Sequence, residues 1–365
     1  MDNSAPDPGN LIFFPEYLQA AGYQTGFFGK WHMGSHTDEP QPGFSHWESF
    51  PGQGVYYGQT LNINGERVAY DDTTYITDLL TEHAVQWLSD RDTEQPFFLY
   101  LSHKAVHSQF QPAQRHDGYY QDEQPVYPNS FDTPEYEIPA LPTASDNDEP
   151  LSGQDYYGTN RLPDWVKNQR ESWHGVDHMY HGQIDFEEFY QLYTETLMGI
   201  DESVGAVLDY LDDNGLAEDT LVIYMGDNGF SFGEHGLIDK RHFYEESVKV
   251  PLLVRWPERL EGGEPIEKLV QNIDIAPTVL EAAGLAVPDY MQGASMLPLL
   301  TREDVAWRDR IFYEYYWEQA FPHTPTMFGV RTERYKYIRY HGVWDTNEFY
   351  DLASDPDEMQ NLIAE

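Results

Sequence analysis

The stretch Leu221-Val-Ile-Tyr-Met-Gly-Asp-Asn-Gly-Phe230, continued by Ser231-Phe-Gly-Glu-His-Gly-Leu-Ile-Asp-Lys240, decides how the chain is read. It opens as a short run of apolar and β-branched residues bounded by Gly226 and Gly229. That is too short for a helix and matches a strand buried on both faces. In open parallel α/β sheets, ligands sit beyond the carboxyl ends of the strands, so Asp227 and Asn228 are expected to project into a crevice. An Asp carboxylate beside an Asn carbonyl offers adjacent hard oxygen donors, the pairing that suits Ca²⁺ or Mg²⁺. Taken alone, Asp-Asn-Gly reads more simply as a turn.

Two other apolar runs end in the same way. Tyr23-Gln-Thr-Gly-Phe-Phe-Gly29 leads into Lys30-Trp31-His32, and Pro96-Phe-Phe-Leu-Tyr-Leu-Ser102 leads into His103, Lys104 and His107. Individually, Lys30 reads as a surface lysine and His32 as a turn histidine. Three strands that each deliver polar groups at their carboxyl ends argue for one shared site. The spacing of His103 and His107 would place both on one helix face, which raises a Zn²⁺ pair. No Glu stands where a zinc hydrolase needs one, and Asp227 with Asn228 favours a hard cation. The histidines therefore read as hydrogen-bonding or proton-donating groups.

Composition narrows the partners. The 365 residues carry 63 acidic and 21 basic side chains, a formal net charge of −42. Such a chain repels nucleic acid and anionic membranes. Its acid excess is dispersed along the sequence, which fits a halophilic source where salt screens self-repulsion. Hydrophobic residues at 40% and aromatics at 15% exclude a disordered chain. There is no cysteine, hence no disulfide. No apolar run reaches membrane-spanning length, and no signal peptide is recognisable.

Apolar spacing predicts helices over Phe14 to Ala21, over Tyr75 to Leu88, and around Leu197 to Leu211 with a stop at Asn214-Gly215. Asp274 is a possible N-cap in Asn272-Ile-Asp-Ile-Ala-Pro-Thr278. From Phe110 to about Asp164 periodicity vanishes among Pro, Tyr, Asp and Gln, as in a lid or binding loop. Arg334-Tyr-Lys-Tyr-Ile-Arg-Tyr340 alternates like a half-exposed antiparallel strand. The expected fold is α/β: a mostly parallel central sheet flanked by helices over residues 1–305, with a loop insertion at about 110–165. A smaller antiparallel sheet subdomain is expected to follow over 306–365.

These residues resemble the sulfatases of the alkaline-phosphatase-like superfamily. Gly22-Tyr-Gln-Thr-Gly-Phe-Phe-Gly-Lys-Trp-His32 is similar to a family signature whose Lys and His contact the sulfate group. Asp227-Asn228 matches the family's late metal ligands, and Lys240 with Tyr244-Glu245 matches its lysine and downstream Tyr-Glu. His107 matches the histidine after the mid-chain strand, although Gln109 stands where proline is usual. Phe349-Tyr-Asp-Leu352 resembles the closing stretch. Within the family, Asp239-Lys-Arg241 followed by Val250-Pro-Leu-Leu-Val-Arg255 is similar to glucosamine 6-O-sulfatases. The resemblance implies hydrolysis of a sulfated carbohydrate, with Lys30, His32, His107 and Lys240 as catalytic groups. It also implies Ca²⁺ or Mg²⁺ on Asp227 and Asn228, and substrate contacts from His235 and His103. The family is often periplasmic or secreted.

In one respect the chain departs from the pattern. The family attacks sulfur with a formylglycine made from Cys or Ser in Cys/Ser-x-Pro-x-Arg, preceded by a strand with two metal-binding aspartates. Here Ser4-Ala5-Pro6 is followed by Pro8 where Arg belongs, and no other segment fits. The expectation is a sulfatase chain that begins after its nucleophile, inactive as it stands, with two protein ligands for the metal and an unfilled position in the sheet. The alternatives are a non-catalytic relative that binds sulfated glycan and a phosphodiesterase or phosphonate hydrolase of the same superfamily.

Overall fold

The computed structural model describes residues 11–34, 37–131, 162–170, 172–180, 183–263, 265–342 and 345–363. Much of the predicted loop insertion therefore lies outside the described residues. Helix α1 (Phe14–Ala20) leads into β1 (Gln24–Lys30), a strand whose interior residues are all buried, in a five-stranded sheet. The other strands of the sheet are β2 (His46–Phe50), β3 (Thr60–Ile63), β4 (Glu66–Ala69) and β5 (Phe97–Ser102), in the order β4-β3-β2-β1-β5. β1 runs parallel to β2 and β5, whereas β3 and β4 form an antiparallel hairpin at one edge. The central sheet is thus mixed, with its parallel part around β1. The hairpin closes on Asn64-Gly65, both at positive φ, the dipeptide a tight two-residue turn favours.

The pleat sends Phe27 and Phe28 to opposite faces of β1. Phe27 stacks on Trp47 with centroids 4.6 Å apart, and Phe28 joins Ile76, Leu79, Leu80 and Ala84 of α2 (Ile76–Asp90). The helical period read from the sequence is the face that α2 buries. Each of the large apolar side chains among these stabilises the fold by roughly 1.5–3 kcal/mol relative to exposure. Outside α2 lies α3 (Phe186–Asp213), tied to it by a 2.6 Å hydrogen bond between Thr81 Oγ1 and Ser203 Oγ. No helix among the described residues is long and apolar enough to cross a membrane.

The strand that ends at Asp227 differs from its expected form. β6 (Val222–Met225) is half-buried, and among the described residues it pairs only with β7 (Leu252–Arg255), antiparallel. With a single neighbour it forms a ribbon rather than the interior of a parallel sheet. Asp274 differs too. Its carboxylate pairs with Arg308 and accepts the backbone N–H groups of Gln271 and Ala294 rather than capping the helix Ile275–Ala282. The last sheet is antiparallel, in the order β11-β10-β9-β8, built from β8 (Arg310–Tyr315), β9 (Met327–Thr332), β10 (Tyr335–Tyr340) and β11 (Glu348–Asp351). It joins the segment Phe243–Glu245 through buried polar contacts: Lys336 bonds the Phe243 carbonyl and pairs with Glu245 and Glu358.

Candidate functional site

Register brings the polar groups together. In the parallel set, Gly29 lies opposite Ser102 and Lys30 opposite Phe50, so three strands end at the same level. Ser102 Oγ donates to the Lys30 carbonyl at 2.9 Å, pinning β1 to β5 at that edge. Gly29 has φ +117°, and a Cβ there would fall 1.8 Å from the Ser102 carbonyl oxygen, so only glycine permits the approach. Beyond this edge stand Lys30 and His32 from β1, Gln53 after β2, and Lys104 and His107 after β5. Lys30 Nζ donates to Gln53 Oε1 at 2.7 Å.

The ribbon supplies the other side. Asp227 and Asn228 are exposed at the end of β6, and Lys240 Nζ donates to Asn228 Oδ1 at 3.2 Å. Their turn is held by Gly229, whose N–H donates to the Ser247 carbonyl at 2.8 Å. A Cβ at Gly229 would meet the Glu246 carbonyl oxygen at 1.8 Å. The charge of Asp227 is felt at Lys30, His32 and Lys240, which links the two sides.

Electrostatically the site is an excess of cations around neutral imidazoles. Burial draws the Lys30 pKa down to about 8, helped by Lys240 and Lys104 and opposed by Asp227. Lys240 is lowered by burial, with Asp227 opposing. His107 falls to about 4 through burial and the charges of Lys30, Lys240 and Lys104. Burial, Lys30 and Lys240 likewise lower His32. His32 also holds φ +52°, a left-handed conformation that costs a non-glycine residue about 1–3 kcal/mol. His107 Nδ1 lies 2.6 Å from the Ser108 carbonyl, which only accepts, so Nδ1 carries the hydrogen and Nε2 is left for a ligand.

Two predicted contacts stand apart from this group. His103 does not share a helix face with His107, because residues 103–107 form a turn. Its imidazole faces inward to Ser203 Oγ at 2.9 Å, and burial lowers it to about 4. His235 is 4% exposed and stacked on Tyr244 at 4.0 Å between ring centroids. Conversely, Lys104, Gln53 and Tyr56 were not singled out. Lys104 had the same signal as Lys30, a cation just past a strand's carboxyl end. Gln53 and Tyr56 lie in a Gly-rich segment without periodicity, and only tertiary structure places them.

The donor chemistry at Asp227 and Asn228 suits a hard cation. No group of three or more His, Asp or Glu that could hold a metal occurs among the described residues. Asn228 Oδ1 accepts from the Lys240 ammonium, and with Asp227 it would offer two of the six to eight oxygens Ca²⁺ takes.

Comparison with known proteins bears on this arrangement. The family model Sulfatase matches residues 3–285, and the model N-sulphoglucosamine sulphohydrolase, C-terminal, matches residues 233–365. The N-acetylglucosamine-6-O-sulfatase of Bacteroides thetaiotaomicron is 32% identical over 402 residues, covering 100% of this chain and 70% of that protein. The N-acetylglucosamine-6-sulfatase of Homo sapiens is 28% identical over 392 residues, covering 96% of this chain and 65% of that protein. A solved structure of a protein in complex with its substrate D-glucosamine-2-N,6-O-disulfate superposes with TM-score 0.81 at 30% identity, covering 100% of this chain and 80% of that one. The phosphonate monoester hydrolase of Agrobacterium radiobacter shares the fold, with TM-score 0.67 at 21% identity, covering 100% of this chain and 78% of that one. The chain spans 64% to 70% of the length of the curated N-acetylglucosamine-6-sulfatases it matches. The family model covers every strand that feeds the lysine site, and the chain belongs to the sulfatase family, on the alkaline-phosphatase-like fold.

Proposed function

We propose that the site binds a 6-O-sulfated glucosamine unit of a sulfated glycan, and that its residues serve sulfuric ester hydrolysis. The observation that carries this is the convergence of Lys30 and Lys240 with His32 and His107 at one strand edge, with cations in excess. A sulfate monoester spreads its charge over the sulfuryl oxygens, and cleavage adds charge on the departing sugar oxygen. Ammonium groups held in a partly dry site stabilise the first charge strongly. A proton for the second must come from an imidazole. Burial, with the lysines, keeps both imidazoles neutral, but an anion bound among these groups raises their proton affinity. Protonation of His32, or of His107 at Nε2, thereby becomes coupled to substrate binding. A Ca²⁺ or Mg²⁺ ion on Asp227 and Asn228 would add positive charge against the sulfuryl oxygens.

The family's formylglycine arises from Cys or Ser in Cys/Ser-x-Pro-x-Arg, and these 365 residues contain no cysteine and no Ser-x-Pro-x-Arg. We therefore expect the chain to bind the ester and not to turn it over repeatedly. Calorimetric titration with glucosamine 6-sulfate, combined with measurement of released sulfate, tests both parts. Saturable binding with less than one equivalent released is the expected result. Absence of binding sinks the reading, and preferential cleavage of a phosphate or phosphonate ester would favour that branch of the superfamily instead. The charge of −42 leads us to expect greater thermal stability in molar salt than in dilute buffer, and equal melting in both would count against a halophilic design.

A further inference from the structure

Lys104 is 6% exposed, yet among the described residues its ammonium has no carboxylate partner and no side-chain hydrogen bond. Its one polar contact is the face of Tyr56, with Nζ 4.5 Å from the ring centroid. Tyr56 is itself buried, and its hydroxyl donates to the His107 carbonyl at 2.7 Å. The His107 N–H donates to the Lys104 carbonyl at 3.0 Å. Tyr56, Lys104 and His107 therefore form one held unit. The charge of Lys104 is felt at both Lys30 and His107, which places it on the same side of the site. The Lys104 stem is buried while its ammonium keeps a path to solvent, so the charge faces the site with no counter-charge among the described residues. Burial lowers its pKa to about 8.

We propose that Lys104 is a substrate-binding residue whose ammonium contacts a sulfuryl oxygen of the sulfated sugar, as a third cation beside Lys30 and Lys240. This rests on the sulfate-ester reading above. The oxyanion has two sources: the ester sulfate at O6, or a second sulfuryl group on the same sugar. Because Lys104 and His107 share one turn, the contact falls on the His107 side of the ligand.

The test is calorimetric titration of the chain and of Lys104→Met, Lys104→Arg and Tyr56→Phe with glucosamine 6-sulfate and with glucosamine 2-N,6-O-disulfate, over a salt series. Lys104→Met is expected to weaken binding about 10- to 100-fold and to flatten the salt dependence, the scale of one hydrogen bond to a charged group. Lys104→Arg should keep most of the affinity. Loss with both ligands assigns the contact to the ester sulfate, and loss with the disulfate alone assigns it to the second group. Unchanged affinity of Lys104→Met for both ligands overturns the proposal. So does an equal loss in Tyr56→Phe, which would mean that Lys104 acts only by holding His107. If the parent chain binds neither ligand, the sulfate-ester reading fails and this contact falls with it.

Discussion

Lys336 and the lysines of the strand-edge site occupy opposite electrostatic environments within one fold. Lys336 is fully buried and fully paired: its Nζ lies 2.8 Å from Glu245 and 2.8 Å from Glu358, and it donates to the Phe243 carbonyl at 2.8 Å. Lys30, Lys104 and Lys240 are drawn together with amides, an aromatic ring, the exposed Asp227 and, beside Lys240, an Asp239 already paired with Arg241. Where the charge is structural, carboxylates answer it within the protein. Where it is left unanswered, the proposed function assigns the missing charge to a ligand. The contrast is sharper because the chain as a whole carries −42, so an anion site requires lysines gathered locally against the average field.

The largest expected effect lies on the paired side. Lys336→Met leaves Glu245 and Glu358 without their shared cation, and removing one partner of a buried ion pair typically costs about 3–5 kcal/mol. Chemical denaturation should show that loss. A change below about 1 kcal/mol would mean that the carboxylates find other partners and that the two lysine environments are alike.

On the unpaired side the same substitution should act on binding and spare stability. Lys30→Met removes a cation whose neighbours are mostly cations, so stability should shift by less than about 1 kcal/mol. Affinity for glucosamine 6-sulfate should fall about 10- to 100-fold. Since Lys30 sits near pKa 8, its contribution to affinity in the parent chain should be full below that value and decline as pH rises through it. A pH-independent affinity between 7 and 9 would show that Lys30 does not answer the anion.

The paired region has its own pH signature. Glu348 is fully buried and receives the hydroxyls of Tyr244, Tyr340 and Tyr350. Burial nevertheless pushes it up to about 7, outweighing those donors. A carboxyl raised in the folded state contributes stability that is complete below the unfolded carboxyl pKa and is lost as pH rises through the folded one. Glu348 should therefore make the fold less stable from about pH 4.5 to about 7, and Glu348→Gln should flatten that limb of the denaturation profile. A limb unchanged by Glu348→Gln would assign the slope to another group.

The contrast also explains what the sequence disclosed. Periodicity identifies α2, which buries one regular face, and a short unbroken apolar run identifies β1, which is buried on both. The cations past β1 and the Asp227-Asn228 turn were legible because a polar group at a strand's end breaks an apolar run. The surroundings of β6 were not legible, since an apolar run of four residues reads alike in a ribbon and in a sheet interior. Only the family resemblance makes His235 a substrate contact, and packing on Tyr244 shows it turned inward. Lys336 sat unnoticed within an alternating strand, because its partners Glu245 and Glu358 are remote in sequence.

The smallest predicted effect concerns His32, where the unpaired site meets backbone strain. At φ +52° a histidine is held in a conformation that glycine adopts freely. His32→Gly releases that strain, of order 1–3 kcal/mol, but glycine also widens the unfolded ensemble by about 0.4–1 kcal/mol. The two terms oppose, so a net gain of roughly 1 kcal/mol is expected in denaturation midpoints. Binding should move the other way, because the imidazole whose proton affinity a bound anion would raise is gone. Stability gained together with affinity lost would mean that the strain is kept for the ligand. If His32→Gly lowered stability instead, the imidazole would be contributing to packing that outweighs the strain, and His32 would belong with Lys336 on the structural side of the comparison.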